Sequence, residues 1–395
     1  MQGGVVMAVR TAAKPGKRRA IFEEVADGAA RAPVAAPGEA ERRKRRARRL
    51  VSGWLFLLAG LVAAMVLVGG MTRLTDSGLS MVSWHPVMGA VPPLNEADWA
   101  VEFEKYKQTA QYRLLNSWME LEDFKPIFWW EWGHRQFGRV IGLVWAVGLA
   151  AFAAFRMLPA GYAWPVILPG LLGGVQGVIG WWMVYSGVAQ GSELVSVAPY
   201  RLALHLGLAF VIFGLLLWPA WRLAREDWAL LQARRRRAPR AMAALGALVG
   251  LTYLQLVSGA LVAGNDAGRG YTDWPLMNGH VLPPESFELG PIWRNFVETA
   301  ALVQFNHRVL GYLLALGAIV GWLYARRAGY RSVGRWAAWA ALAIWLQMAW
   351  GIYTVTEGAP LWLAIAHQAG ALATVAVMLR ARFEAAYPAD QSLRG

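Results

Sequence analysis

Four histidines in this sequence could hold a metal: His134, His205, His307 and His367, each near the start of a separate long apolar run. Imidazole inside an apolar span is costly enough that it marks a candidate site by default. Two imidazoles at one depth on two helices of a bundle can offer one nitrogen each to opposite faces of a flat macrocycle, which is the axial ligation that haem iron needs. One such histidine alone would read more readily as a core residue bonded to a carbonyl or a glutamine. Four in two matched pairs favour ligation. There is no cysteine, so neither thiolate ligation nor a disulfide framework is available. Zinc fits less well because only one carboxylate lies near any pair. A di-iron carboxylate centre needs two Glu-x-x-His motifs, and only Glu131-Trp-Gly-His134 exists.

The neighbours of these histidines refine the expectation. Gly138 and Gly311 follow His134 and His307 by four residues, and Gly207 and Gly370 stand close after His205 and His367. On a shared helical face such glycines would let a porphyrin approach the backbone. Glu131 shares the face of His134, whereas the matching position before His307 is Gln304. A carboxylate beside one pair and an amide beside the other suggests chemistry in the first half and a resident electron-transferring haem in the second. The competing reading of Glu131 is an interfacial residue stabilised by a helix dipole. Arg135, Arg139 and Arg308 lie where haem propionates would emerge, and guanidinium pairs well with carboxylate, although snorkelling to lipid phosphate explains them equally. Gln176 and Gln347 read first as packing glue. His85 and His280 stand beside prolines in outer loops, where transient haem or metal contact is the weaker reading. Trp129, Trp130, Trp132, Trp181 and Trp182 crowd span ends as an aromatic belt does.

The elements that must position these residues are eight apolar runs, at roughly 51–70, 138–158, 163–185, 200–221, 241–264, 301–325, 336–355 and 361–380. Each approaches the ~20 residues that a helix needs to cross a bilayer, and a lone segment in lipid must satisfy its backbone internally. The fold class expected is therefore an all-α integral membrane protein of eight transmembrane helices. The chain also repeats. Trp84-His-Pro-Val-Met-Gly-Ala-Val-Pro-Pro93 is echoed by Trp274-Pro-Leu-Met-Asn-Gly-His-Val-Leu-Pro-Pro284, Gly133-His-Arg by Asn306-His-Arg, and Gln176-Gly-Val-Ile-Gly180 by Gln347-Met-Ala-Trp-Gly351. Two tandem pseudo-symmetric four-helix bundles account for this, related by an axis along the membrane normal. The second, fourth, sixth and eighth spans then start at one face, with each histidine some five to eight residues in, about 8–12 Å deep.

The division expected is a basic, largely disordered tail over 1–48, a first bundle over 49–222, a basic linker over 223–240, a second bundle over 241–382 and a short tail over 383–395. Glu23, Glu24, Asp27, Glu39 and Glu41 argue against a mitochondrial transit peptide. The formal net charge of +14 is concentrated at one side: Arg42 to Arg49 before the first span, Arg234 to Arg237 after the fourth, and Arg326, Arg327, Arg331 and Arg335 after the sixth. The positive-inside rule makes that side cytoplasmic, with both termini on it. Topology alone explains these arginines, ahead of nucleic-acid or anionic-lipid binding, and no nucleic-acid partner is expected.

Beyond these residues, Glu102-Phe-Glu-Lys-Tyr-Lys107, Met119-Glu-Leu-Glu-Asp-Phe-Lys125, Ile127-Phe-Trp-Trp-Glu-Trp-Gly-His-Arg-Gln-Phe-Gly-Arg139 and Gly70-Met-Thr-Arg-Leu-Thr-Asp-Ser-Gly-Leu-Ser80 closely resemble the haem A synthase family of mitochondria and alphaproteobacteria. The similarity covers roughly residues 50 to 380, in the branch that lacks cysteines in the first outer loop. The resemblance implies oxidation of the C8 methyl of haem O to a formyl group by successive hydroxylations, giving haem A for cytochrome oxidase. It implies that His134 and His205 bracket substrate haem O with Glu131 as the catalytic carboxylate, and that His307 and His367 ligate a haem B cofactor. It places the protein in a bacterial inner membrane, with a mitochondrial one less favoured. Membrane lipid, haem O synthase, oxidase assembly factors and further copies of the chain are the partners it suggests. Two other classes compete: a di-haem, quinol-linked electron carrier, which needs no unique carboxylate, and a haem transporter or chaperone. A prenyltransferase such as haem O synthase is disfavoured because paired Asp-rich motifs are missing.

Overall fold

The computed structural model describes residues 38–84 and 88–389. The expectations for residues 1–37 of the tail, for His85 and for 390–395 lie outside these. Eight helices are long and apolar enough to cross a membrane: α1 Glu39–Leu74, α2 Leu121–Ala154, α3 Ala163–Val188, α4 Pro199–Leu223, α5 Pro239–Gly264, α6 Ala300–Arg326, α7 Arg331–Thr356 and α8 Leu361–Ala386. No strand occurs among the described residues. The chain is an all-α, multi-pass membrane protein.

Local chemistry sets many of the ends. Pro199 and Pro239 open α4 and α5 at the first helical turn, where a missing N–H is no loss. A reciprocal capping box between Glu120 and Asp123 opens α2.

Three boundaries differ from the sequence expectation. α1 begins at Glu39, so residues 39–48 continue the helix rather than belonging to an irregular tail. The basic residues there are held: Arg48 is buried, bonds Asp227 at 2.5 Å and donates to the carbonyl of Arg222 at 3.0 Å, and Lys44 lies 3.0 Å from Asp227. α2 begins well before 138, because the stretch from Leu121 is already helical and carries an aromatic face. α8 runs on to Ala386, with Glu384 buried between Arg225 and Arg380, so the short tail starts later than residue 383. The 223–240 linker contains a short helix, Asp227–Arg235.

The described residues from 43 onward pack as one compact unit around two apolar cores. One gathers Leu55, Leu58 and Val62 of α1 with Phe210, Phe213 and Leu216 of α4, backed by α2 and α3. The other gathers Leu245 and Leu248 of α5 with residues of α6, α7 and α8. In lipid the gain from such contacts is packing rather than escape from water, so close backbone approach matters. Gly264 shows this: a Cβ there would lie 2.8 Å from the Cα of Pro199, so only glycine lets α5 meet the start of α4. On the other side Gln368 of α8 donates to the carbonyl of Val66 in α1 at 2.8 Å. The inner helices of one half thus meet those of the other. The two halves also share a backbone signature just after α1 and α5, where Asp76 and Asp266 take φ of 52° and 50°.

Between α1 and α2 the chain forms a short helix packed on α2. Helix Glu96–Lys107 is capped by Asn95 and packs Phe103 and Tyr106 against Phe124 and Phe128 of α2. Each of these rings is nearly or wholly buried. Outside lipid, burying one contributes about 2–3 kcal/mol.

Candidate functional site

The four histidines sit on α2, α4, α6 and α8. His205, His307 and His367 lie six or seven residues into their helices, while His134 lies thirteen into α2. That difference comes from the extra turns by which α2 extends outward. The packing registers are the same, as the helix preceding each histidine shows.

Every imidazole lies against a glycine of that preceding helix. A Cβ at Gly180 of α3 would stand 2.9 Å from Cε1 of His205, and one at Gly351 of α7 would stand 2.8 Å from Cε1 of His367. At Gly259 of α5 it would stand 3.0 Å from Cε1 of His307, and at Gly69 of α1 3.2 Å from Nε2 of His134. Four odd-numbered helices therefore supply a bare backbone patch, and four even-numbered helices lay an imidazole on it. The glycines singled out from sequence do something else. A Cβ at Gly138 would touch Met65 and one at Gly311 would touch Gln255, each at 3.4 Å. Gly207 faces Tyr253, and Gly370 faces Gln347. They make room for side chains of neighbouring helices. The signal that could have found the right pair was already in the repeat, since Gln176 and Gln347 are each followed four residues later by Gly180 and Gly351.

Glutamines fix the histidine backbones. Gln176 donates to the carbonyl of His205 at 2.8 Å and Gln347 to that of His367 at 2.7 Å. Gln255 donates to the carbonyl of His307 at 3.0 Å and also reaches its ring nitrogens at 3.1 and 3.3 Å. In the first half Met65 occupies the place of Gln255, so that bundle has one amide fewer. Gln255 was not foreseen, because its partner in the other half is apolar and the repeat hides it.

His205 lies within electrostatic range of His134, and His307 within that of His367. All four retain some accessible surface although they lie among packed helices. Nδ1 of His205 is buried with no hydrogen-bond partner. Among the described residues no three His, Asp or Glu side chains gather to hold a bare ion. An all-nitrogen donor pair, a glycine cradle behind each ring and an orphaned ring nitrogen fit a planar group that takes one axial ligand from each side.

Glu131 is buried at 3% exposure, well inside α2, so the helix-terminus reading does not apply. Its Oε2 accepts from Ser80 Oγ and from the backbone N–H of Met81, both at 2.8 Å, and its Oε1 accepts from Arg135 at 2.5 Å. Arg135 donates further to the carbonyls of Met81 at 2.8 Å and Ser83 at 3.1 Å. The second half repeats the device with an amide. Gln304 donates to the carbonyl of Tyr271 at 3.1 Å and accepts from Arg308, which also holds Tyr271 and Leu276. Glu131 and Gln304 thus latch the segment that follows α1 or α5 down onto the histidine-bearing helix. Arg135 and Arg308 spend donors on these loops, while Arg139 bonds Gln136 at 3.2 Å. His280 is exposed in a turn between Met277 and Glu285, apart from the four.

Outside the spans, Tyr271 is pushed up to about 12 by burial and then by its bond to Glu285. That hydroxyl in turn holds the Glu285 carboxyl below its usual range.

Residues 52–379 match the model of the family described as cytochrome oxidase assembly protein. A protein of Ruegeria pomeroyi named heme A synthase is 55% identical over 96% of this chain and 99% of its own length. Relatives of the same name from Ruegeria sp. strain TM1040 and Roseobacter denitrificans are 53% and 51% identical, over 95% and 96% of this chain and 99% of theirs.

Proposed function

The chain belongs to the cytochrome oxidase assembly protein family, and on that footing we propose that it is a haem A synthase, an oxidoreductase that converts the C8 methyl of haem O into the formyl group of haem A. The observation that carries this reading is the fourfold placement of an imidazole against a glycine, twice in each half, in a chain similar over nearly its full length to proteins of that name.

His134 and His205, in the bundle over 49–222, bracket the substrate. His307 and His367, in the bundle over 241–382, hold a resident haem B. The difference in support agrees with that division. In the second bundle amides reach both rings, as suits a group that stays. In the first, Met65 replaces one amide and Nδ1 of His205 is unpartnered, as suits a group that arrives and leaves.

Turning CH3 into CHO removes four electrons and takes in one oxygen atom, and a resident haem supplies the redox path when bound. The residues of the chain do the rest. Four imidazoles would hold the two macrocycles, and the helix over 96–107 would limit water at the first. Glu131, held by Ser80, Met81 and Arg135, orients the substrate edge or a water molecule against it. Arg135, Arg139 and Arg308 stand by the propionates, and Arg135 and Arg308 also pin the loops. The protein lies in a bacterial inner membrane with its basic face and both termini cytoplasmic. Haem O synthase, oxidase assembly factors and further copies of the chain are its partners there.

One observation favours a second reading, a di-haem electron carrier: Glu131 and Gln304 make matching latches, so the carboxylate is not unique in what it bonds. Extraction and chromatography of haems from protein produced with a haem O supply decides between them. Haem A or hydroxylated haem O supports the synthase. Haem B alone, with no conversion under any electron donor, leaves the carrier.

A further inference from the structure

The turn between α6 and α7 is basic in a way that the other turns on its face are not. It carries Arg326, Arg327, Arg331 and Arg335, and the chain has no acidic residue between Glu298 and Glu357. On the neighbouring segments some cations have protein partners, as Lys44 and Arg48 meet Asp227, and Arg225 and Arg380 meet Glu384. Among the described residues the guanidinium groups of Arg326, Arg331 and Arg335 have no hydrogen bond or ion pair to protein. Unlike charges that repel one another across open solvent, these three converge. With Trp322 and Tyr330 they line a shallow, open surface cavity of about 390 Å³.

The backbone makes that convergence. Gly329, at φ 77°, reverses the chain directly after α6. A Cβ at Gly334 would lie only 3.7 Å from the Cα of Arg326, so the start of α7 packs tightly on the end of α6. Trp322 holds the Arg326 guanidinium 4.8 Å from its ring centre. α7 begins at Arg331 with Tyr330 giving no side-chain cap, so the first-turn N–H groups add positive potential at the same place. Beside the cavity, toward the membrane interior, Val320, Leu323 and Trp339 are exposed. Planar guanidinium forks suit phosphate oxygens, an aromatic pair suits the interface, and an apolar strip suits an acyl chain.

We propose that this cavity binds the phosphodiester headgroup of an anionic phospholipid in the leaflet on the basic face, with an acyl chain along Val320, Leu323 and Trp339. Positive-inside topology requires charge in this turn but neither a cavity nor unpaired guanidinium groups around it, and a basic pocket between membrane helices is where lipid headgroups are held.

The test is native mass spectrometry of the full chain released from nanodiscs containing equal phosphatidylglycerol and phosphatidylcholine. One phosphatidylglycerol should be retained at least about tenfold over phosphatidylcholine. R326Q/R331Q/R335Q should abolish the preference, whereas R234Q/R235Q/R237Q, which removes as much charge from the other turn, should keep it. If the triple variant does not accumulate, R331Q alone reads the same ratio and should lower it severalfold. Equal retention of the two lipids, or a preference that survives R326Q/R331Q/R335Q or R331Q, overturns the proposal. So does displacement of the lipid by an equal concentration of inorganic phosphate, which would make this a free-anion site.

Discussion

Glu131 shows how far one side chain's role depends on what it touches. Gln304 performs the same latching with a neutral amide, so Glu131→Gln should keep the Met81 segment in place and leave haem binding intact. If the carboxylate is needed for chemistry, formyl production should fall on the order of 10²-fold at unchanged haem content, read by pigment extraction. Normal haem A output from that variant would reduce Glu131 to a latch. Gly351 permits an equally local test. A Cβ there already falls 2.8 Å from His367, so Gly351→Val must displace the imidazole, an overpacking that costs about 1–3 kcal/mol. The low-spin signal of the second bundle should disappear while the haem between His134 and His205 remains. Retention of that signal would show that His367 is not its ligand.

At the scale of elements, the segments that cap the two halves are built differently. The first has an aromatic core around Tyr106 and Phe124. The second has a smaller apolar cluster of Tyr271, Met277 and Ala301 and adds polar contacts centred on Tyr271, whose carbonyl accepts from Gln304 and Arg308 and whose hydroxyl bonds Glu285. The pH dependence follows from the signs. Tyr271 has a raised value in the fold, so its contribution is complete below 10 and is lost as pH rises from 10 through about 12. Glu285 has a lowered one, so its contribution is complete above 4.5 and is lost as pH falls below that. The loop bond is therefore strongest between those limits. An absorbance titration of tyrosinate, taken as the difference between the wild type and Tyr271→Phe, should show a phenol ionising near 12; a midpoint at 10 would refute the bond.

For the molecule as a whole, Arg73 joins the halves. It bonds Asp76 at 3.1 Å in its own half and Asp266 at 2.8 Å in the other, and reaches the carbonyl of Ala263. The aspartates are half exposed, which limits the pair's worth. Arg73→Ala should cost about 1 kcal/mol, seen as a lower thermal midpoint of the detergent-solubilised protein with both haem spectra intact below it. An unchanged midpoint would mean that helix packing alone, through contacts such as Gly264 on Pro199, holds the halves together.

Local chemistry settled the eight spans and which of them carry His134, His205, His307 and His367, because apolar run length and the internal repeat are properties of neighbouring residues. It was least reliable where helices run past their apolar stretch, as α1 does toward Glu39 and α2 toward Leu121, since polar and aromatic helical turns look like loop by hydropathy. Only the folded chain decided which glycines back the imidazoles, that Gln255 has Met65 as its counterpart, that Glu131 is latched by Ser80, Met81 and Arg135, and that three arginines of one turn face a shared cavity. Each of those facts depends on which faces of two helices meet, and the rotation of one helix against another is set by packing across the bundle, not by the residues of either helix alone.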